Sequence, residues 1–545
     1  MSCAAAERWR GRERPLFADA RNVPRDQTLE TDVCIVGAGA AGITLARELN
    51  GSPLQVTVLE SGGFGYEVET QALYGGRSIG LPYSDLSVPR LRYFGGTTNH
   101  WGGICRPFEE ADFEAREGIP FTGWPIRKAD VDPFYERAVR VVRLPSADFD
   151  LAHWTPDGEA APLPLGSGRI VSRVAQVVEP DLRSFGEAYR EELRAVPNVT
   201  VYLHATATAV DVDDAMRTAT TVRVATLSGN QFSVSARAYV LATGAIENAR
   251  LLLVSNGQAP AGLGNGNDLV GRFFLEHPRF VAGFIAPSSP HPNLAFYENH
   301  RVDGALVRGY LASSKDVQLA EGLLDLQIRL EPDYGDAPQD ASDFARHVLT
   351  LAADVEGWQR IAVPGSPVPI PYLDVIREAL DSPEDTYIRL RGRIEKIGLS
   401  TRMEQAPNPD SRVLLVRERD QLGIQRVALD WRLSDVDRRN VRRTLELLGA
   451  EIGAAGLGRL RILHAEDESG WPDDLNGGQH HMGTTRMSDD PSQGVVDRHC
   501  RVHGMSNLFV AGSSVFPTPS GATPTLMLVA LAIRLADRLK GTMLP

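Results

Sequence analysis

The stretch from Asp32 to Gly42 constrains this chain more than any other part of it. Asp32-Val-Cys-Ile-Val36 is a short apolar run, Gly37-Ala-Gly39-Ala-Ala-Gly42 follows at once, and Ile43 to Leu49 then recur at helical spacing. A second apolar run, Val56 to Leu59, ends in Glu60. This order spells strand, glycine turn, helix and strand, the unit that holds a dinucleotide on a parallel sheet. Gly37 suits the tight turn, Gly39 lets backbone approach a pyrophosphate, and Gly42 lets the helix close on the strand, while the helix N-terminus offers N–H groups to the anion. Glu60 stands where a carboxylate would accept from a ribose hydroxyl. A second glycine cluster, Gly262-Leu-Gly264-Asn-Gly266, has no strand before it and reads as plain loop, so one dinucleotide site is expected.

The 545 residues are too many for one ordinary core, and 51 Gly with 35 Pro point to many turns rather than long bundles. Prolines at 107, 120, 125 and 133 break up the region after Phe108, with an amphipathic helix expected from Pro133 to Val142. Runs around Val201 to Val212 and Thr221 to Val234, the second pierced by Ser228-Gly229-Asn230, read as a hairpin. They lead into Ala238-Tyr-Val-Leu-Ala242 and Thr243-Gly244, a return to the nucleotide domain. From His277 to Leu475 the pattern is that of a second, antiparallel lobe. It holds a proline-and-acid loop from Pro332 to Asp343, a proline run from Pro364 to Pro371, a hairpin of Arg412–Val416 with Val427–Trp431, and a long helix capped by Ser434. The expected fold is α/β: a discontinuous Rossmann-type domain from 28–108, 195–276 and 476–545, beside an α+β substrate domain with a mainly antiparallel sheet from 109–194 and 277–475. Residues 1–27 read as an arm.

A net charge of −13 disfavours nucleic acid or an anionic membrane as the main partner. Cys3, Cys34, Cys105 and Cys500 show no close spacing and read as free thiols in a reducing compartment, with no metal site implied. Arg8, Arg10, Arg12 and Arg14 are followed by no apolar core of a signal peptide, and no stretch reaches a bilayer-spanning length, so a cytoplasmic location is expected.

Three segments together resemble the glucose-methanol-choline (GMC) oxidoreductases, in particular the pyranose-oxidase-like branch. They are Gly37 to Gly42 with Glu60-Ser61-Gly62-Gly63, then Phe94-Gly95-Gly96-Thr97-Thr98-Asn99-His100-Trp101-Gly102-Gly103. The third is His480-His481-Met482-Gly483-Thr484-Thr485-Arg486-Met487, with Asn507-Leu-Phe-Val-Ala-Gly512 and Thr523-Pro524-Thr525-Leu526 after it. The resemblance spans nearly the whole chain. It implies FAD as cofactor and oxidation of an alcohol or sugar. FAD contacts are then expected at Gly37, Gly39, Ala41, Gly42, Glu60 and Ser61. Further contacts are expected at Gly96, Asn99, His100, Gly102, Gly103, Ala207, Thr243, Gly512, Ser513, Thr525 and Leu526. His480 takes the place of the catalytic base, a role that suits a neutral imidazole near pH 7, and His481 a supporting one near the substrate. His100 matches the position at which this branch ties flavin to a histidine, although Asn99 departs from the commonest neighbour. Where relatives carry a second His or Asn, this chain has Thr523. Thr followed by Pro524 is the pattern of an N-cap, so Thr523 is expected to cap the last helix and lend at most a hydroxyl to the substrate. That helix would turn its positive end to the flavin and stabilise its reduced, anionic form.

The substrate class is a sugar, glycoside or related polyol, with an amino sugar or other small natural-product alcohol as the alternative. Glu466-Asp467-Glu468 with Asp473-Asp474 would favour a cationic substrate if it lay at the site mouth. Trp101, Trp124 and Trp471 are candidate sugar platforms. Oxygen, a quinone and a protein carrier all remain open as acceptor. Two other readings are an FAD-containing lyase acting on a hydroxyl-bearing carbon and a non-catalytic flavin-binding protein; the intact His480 motif argues against the second.

Overall fold

The computed structural model describes residues 16–155, 160–333, 394–463 and 470–544. The four arginines between Arg8 and Arg14, Cys3, most of the proline-and-acid loop, the Pro364–Pro371 run and Glu466-Asp467-Glu468 lie outside the described residues.

Strands Thr28–Val36 and Val56–Leu59 pair in parallel around the helix Ala40–Glu48, as the glycine turn requires. The sheet grows on one side through Val199–Leu203 to Phe17–Asp19, and on the other through Gln231–Leu241, which also carries Leu508–Val510; all these neighbours are parallel. An antiparallel extension, Ala219–Ala225 and Thr206–Val212, completes it. One sheet thus gathers strands from three separated parts of the chain. Phe17–Asp19 lies within the segment expected to be an arm; three residues are too few to show a strand period.

The apolar faces of Ala40–Glu48, Asp132–Val142 and the C-terminal helix Pro524–Met543 join this sheet in one core. A Cβ on Gly42 would stand 1.9 Å from the Gly37 carbonyl oxygen, so no other residue lets this helix sit so close to its strand.

The second sheet is antiparallel throughout. It runs Gly458–Ile462, Arg279–Pro287, Lys396–Met403, Leu326–Asp333, Ala305–Ser313, Ile170–Val177 and Ile104–Cys105, with Asn299–Val302 beside Ala305–Ser313. The helix Asp435–Ala454 begins after Ser434, whose backbone N–H and hydroxyl both donate to Asp437. The hairpin Arg412–Arg419 with Gln425–Asp430 accepts Gly76–Ser78 as a third strand. Among the described residues no helix is long and apolar enough to cross a membrane.

Candidate active site

A cavity of about 430 Å³ lies between the two sheets. Its nucleotide end is built of backbone. Gly39, Gly102, Gly244 and Gly512 line it, and a Cβ built on any of them would meet no atom within 4 Å, so each glycine leaves its flank open to a ligand. Gly37 takes a φ of +102° and is pressed against the Ala242 carbonyl, which sets the turn. Glu60 is fixed by accepting the N–H groups of Ala38 at 2.9 Å and Gly62 at 3.0 Å, and its buried carboxylate faces the same cavity. Asn248 ties two distant chain segments together: its Oδ1 accepts from Thr243, and its Nδ2 donates to the Ala511 carbonyl and the Ser514 hydroxyl. Open glycine flanks beside a fixed carboxylate and a helix N-terminus are what an extended dinucleotide needs, and the residues present fit FAD.

Of the residues expected to contact FAD, all but Gly42, Asn99 and Leu526 line this cavity, as do His480, His481 and Thr523. Gly42 and Leu526 lie behind its wall in the core. Asn99 points away from the cavity: its Nδ2 donates to the Phe94 carbonyl, and its Oδ1 accepts from the Ser184 hydroxyl and Gly186 N–H. Its side chain thereby anchors the loop that presents His100. Trp124 and Trp471 also miss the cavity. Trp124 packs between Phe108, Phe113 and Phe516, and Trp471 lies on Phe280 and Arg438. Trp101 alone of the three lines it, with its Nε1 donating to the Arg183 carbonyl. Asp473 and Asp474 are exposed, and Asp474 accepts from the Val281 N–H.

Thr523 occupies the N-cap position of the C-terminal helix but makes no capping bond; its hydroxyl donates to the Ile104 carbonyl instead. The expected cap is therefore corrected. The first turn is left open, with Thr523, Pro524 and Thr525 on the cavity wall and the helix's positive end turned toward it.

At the other end His480 meets a partner that sequence reasoning missed. Its Nδ1 lies 2.8 Å from Nδ1 of His277, whose Nε2 lies 2.6 Å from the Ser520 carbonyl oxygen. A carbonyl only accepts, so His277 carries its proton on Nε2 and its Nδ1 is an acceptor. His480 must then donate from Nδ1, which leaves its Nε2 unprotonated. Burial drives His277 down to about 3, and burial together with His277, Arg402 and Arg279 holds His480 well below the ordinary histidine value. Both rings are neutral at pH 7. Gln479 and Ser520, which flank this pair, sit at φ +62° and +55°, a region non-glycine residues rarely enter and one that collects at functional sites.

His481 is held differently. Tyr83 donates its hydroxyl to Glu276, so its oxygen accepts from Nε2 of His481 at 2.8 Å. Glu276 is fully buried and also accepts from the N–H groups of His277 at 2.9 Å and His480 at 3.0 Å, so one carboxylate fixes the backbone under both imidazoles. The clue in the sequence was Glu276-His277 directly after the apolar Phe273-Phe274-Leu275, because polar groups in a buried run need partners.

Residues 32–259 match the family model described as FAD dependent oxidoreductase, and residues 407–532 match GMC oxidoreductase. Paromamine 6'-oxidase of Streptomyces fradiae is 24% identical over 95% of this chain and 92% of its own length. The 6'''-hydroxyparomomycin C oxidase of Streptomyces lividus is 25% identical over 92% and 90%. A solved structure of a formate oxidase variant from Aspergillus oryzae RIB40 shares the fold, with a TM-score of 0.53 at 15% identity over 95% of this chain and 99% of that one. Fold and site together define an FAD-dependent oxidoreductase acting on alcohols or sugars. Over residues 407–532 the chain is similar to the GMC oxidoreductases.

Proposed function

We propose that the protein oxidises a CH–OH group of a sugar, glycoside or related polyol, with Nε2 of His480 taking the hydroxyl proton. The observation that carries this reading is the Nδ1-to-Nδ1 bond from His480 to His277, which fixes the one tautomer able to accept a proton at Nε2. FAD, when bound, supplies the acceptor for the hydride. His480 brings a base that burial keeps neutral and oriented, and Glu276 holds its backbone in place. Thr523, whose proton is committed to Ile104, can offer only an oxygen lone pair to the substrate. The C-terminal helix offers the free N–H groups of its first turn to negative charge on the ring system. The relatives named as oxidases of paromamine and of 6'''-hydroxyparomomycin C support a sugar or aminoglycoside hydroxyl as the group oxidised.

His100 lines the cavity, and desolvation lowers its pKa, so the ring is presented neutral to the cofactor. Acid precipitation tests this contact: yellow colour that stays with the pellet extends it to a covalent bond, and colour released to the supernatant limits it to packing. The reaction itself is tested by anaerobic mixing of holoenzyme with sugars, amino sugars and primary alcohols. Bleaching of the flavin band is expected with at least one of them. Substrate turnover without bleaching would favour the lyase reading.

A further inference from the structure

Arg279 and Arg402 stand directly opposite each other on neighbouring antiparallel strands, and both line the cavity beside His480. Facing like charges on such a pair repel. Among the described residues the Nε of each is buried without a hydrogen-bond partner, and the one side-chain bond either makes is from Arg402 Nη1 to Gln327 Oε1 at 3.4 Å. Among the described residues neither forms an ion pair. The nearby acid is Glu276, and its carboxylate is already committed to Tyr83 and to two backbone N–H groups. Other arginines on the cavity wall are matched: Arg90, Arg92 and Arg250 all pair with Glu247, and Arg250 also with Asp420. Arg279 and Arg402 therefore differ from these neighbours in forming no ion pair among the described residues, at the end of the cavity where the base stands; Glu276 attracts Arg279 only from a distance.

Burial and mutual repulsion lower Arg402 to about 9, which leaves it charged at pH 7. Two half-buried, charged guanidinium groups whose Nε atoms are buried without a partner are costly to hold in a fold, and the cost is reduced when a ligand supplies negative charge. Guanidinium forks suit the oxygen pairs of carboxylates and phosphates. We propose that the alcohol oxidised here carries an oxyanion group, which Arg279 and Arg402 bind, so that the preferred substrate is an acidic sugar or polyol. This rests on the reading that His480 marks the carbon oxidised. It places the positive charge of the site opposite to what the acidic run near Asp473 suggested, since a purely cationic amino sugar would be repelled here.

The test uses the FAD-loaded enzyme and reads binding apart from turnover. Acetate and inorganic phosphate are titrated while the visible flavin spectrum is followed, in the wild type, Arg279→Gln, Arg402→Gln and Arg402→Lys. Anaerobic bleaching is then measured with matched pairs, glucose against glucuronate and glucose 6-phosphate, and glycerol against glycerate. At least one anion is expected to perturb the wild-type spectrum, weakening as salt rises, and to bind at least about tenfold more weakly to Arg402→Gln, with Arg402→Lys in between. The anion that binds more tightly separates a carboxylate from a phosphate. The acidic member of a pair is expected to bleach flavin at lower concentration than the neutral one, and Arg402→Gln to erase that preference. No perturbation by either anion in the wild type overturns the proposal. So does an Arg402→Gln effect that is equal for neutral and acidic alcohols, which would assign the pair to the cofactor. Anion binding with no bleaching by any alcohol would leave the anion site standing and sink the oxidation reading instead.

Discussion

At the residue scale, the carbonyl of Ser520 sets the proton on His277, and His277 sets the proton on His480. Because His277 acts through its neighbour, it is a positioning residue. His277→Leu removes the acceptor for Nδ1 and is expected to slow flavin reduction roughly 10–100-fold. His277→Gln keeps one donor and one acceptor and should recover part of that loss. The pKa shifts fix the sign of the pH dependence. His480 is lowered, so its neutral form persists as pH falls, and the rate of flavin reduction should stay level through pH 6.5 instead of dropping there. A wild-type profile with an acid limb at the ordinary histidine value would contradict the buried pair. His480 itself was legible through its motif. His277 was not, because the contact joins segments far apart in sequence, and only burial of both rings reveals that each needs the other. Thr523 was legible in position but not in bonding: its hydroxyl finds the Ile104 carbonyl on another strand, a competitor that a local Thr-Pro signal cannot show.

At the scale of elements, the glycine turn makes two separable demands. A Cβ on Gly42 collides with the Gly37 carbonyl, whereas a Cβ on Gly39 meets nothing but the cavity. Gly42→Ala should therefore destabilise the fold by roughly 1–3 kcal/mol, seen as a lower Tm with or without added FAD. Gly39→Ala should leave the apoprotein's stability within about 0.5 kcal/mol of wild type and weaken FAD binding, measured by retention of flavin on gel filtration. A Gly39→Ala protein that kept wild-type FAD affinity would move the pyrophosphate away from this turn. The strand–turn–helix unit was readable because period, glycine spacing and the trailing Glu60 all agree locally. Phe17–Asp19 was not, being too short to carry a pattern. Asn99 and the misplaced tryptophans show a related limit: residue type names what a side chain can do, and the packing around it decides which way it points.

At the scale of the molecule, the first sheet holds the glycine-lined end of the cavity, and the antiparallel sheet supplies Arg279 and Arg402 at the end where His480 stands. The class of each sheet was legible from alternation and punctuation. Strand order was not, since Arg279–Pro287 and Lys396–Met403 become neighbours only through long-range pairing. Stability should register the buried neutral histidines. His277, His480 and His481 are all lowered from 6.5, so below that pH the unfolded chain binds more protons than the folded one. Their contribution is intact above pH 6.5 and is lost as pH falls toward about 3, so Tm should decline across that window. Buried acids raised in the fold, such as Asp437 at about 6, act in the opposite sense, so the histidine share is read as the part of the decline that His277→Gln removes; no change in the slope on that substitution would contradict a neutral His277. The most direct measurement of the central claim is anaerobic stopped-flow reduction of FAD in His480→Ala, with FAD content and substrate binding checked in the same preparation. Reduction about 10²–10⁴-fold slower than wild type, with FAD retained, is the expected result; a wild-type rate of reduction would contradict the assignment of His480 as the base.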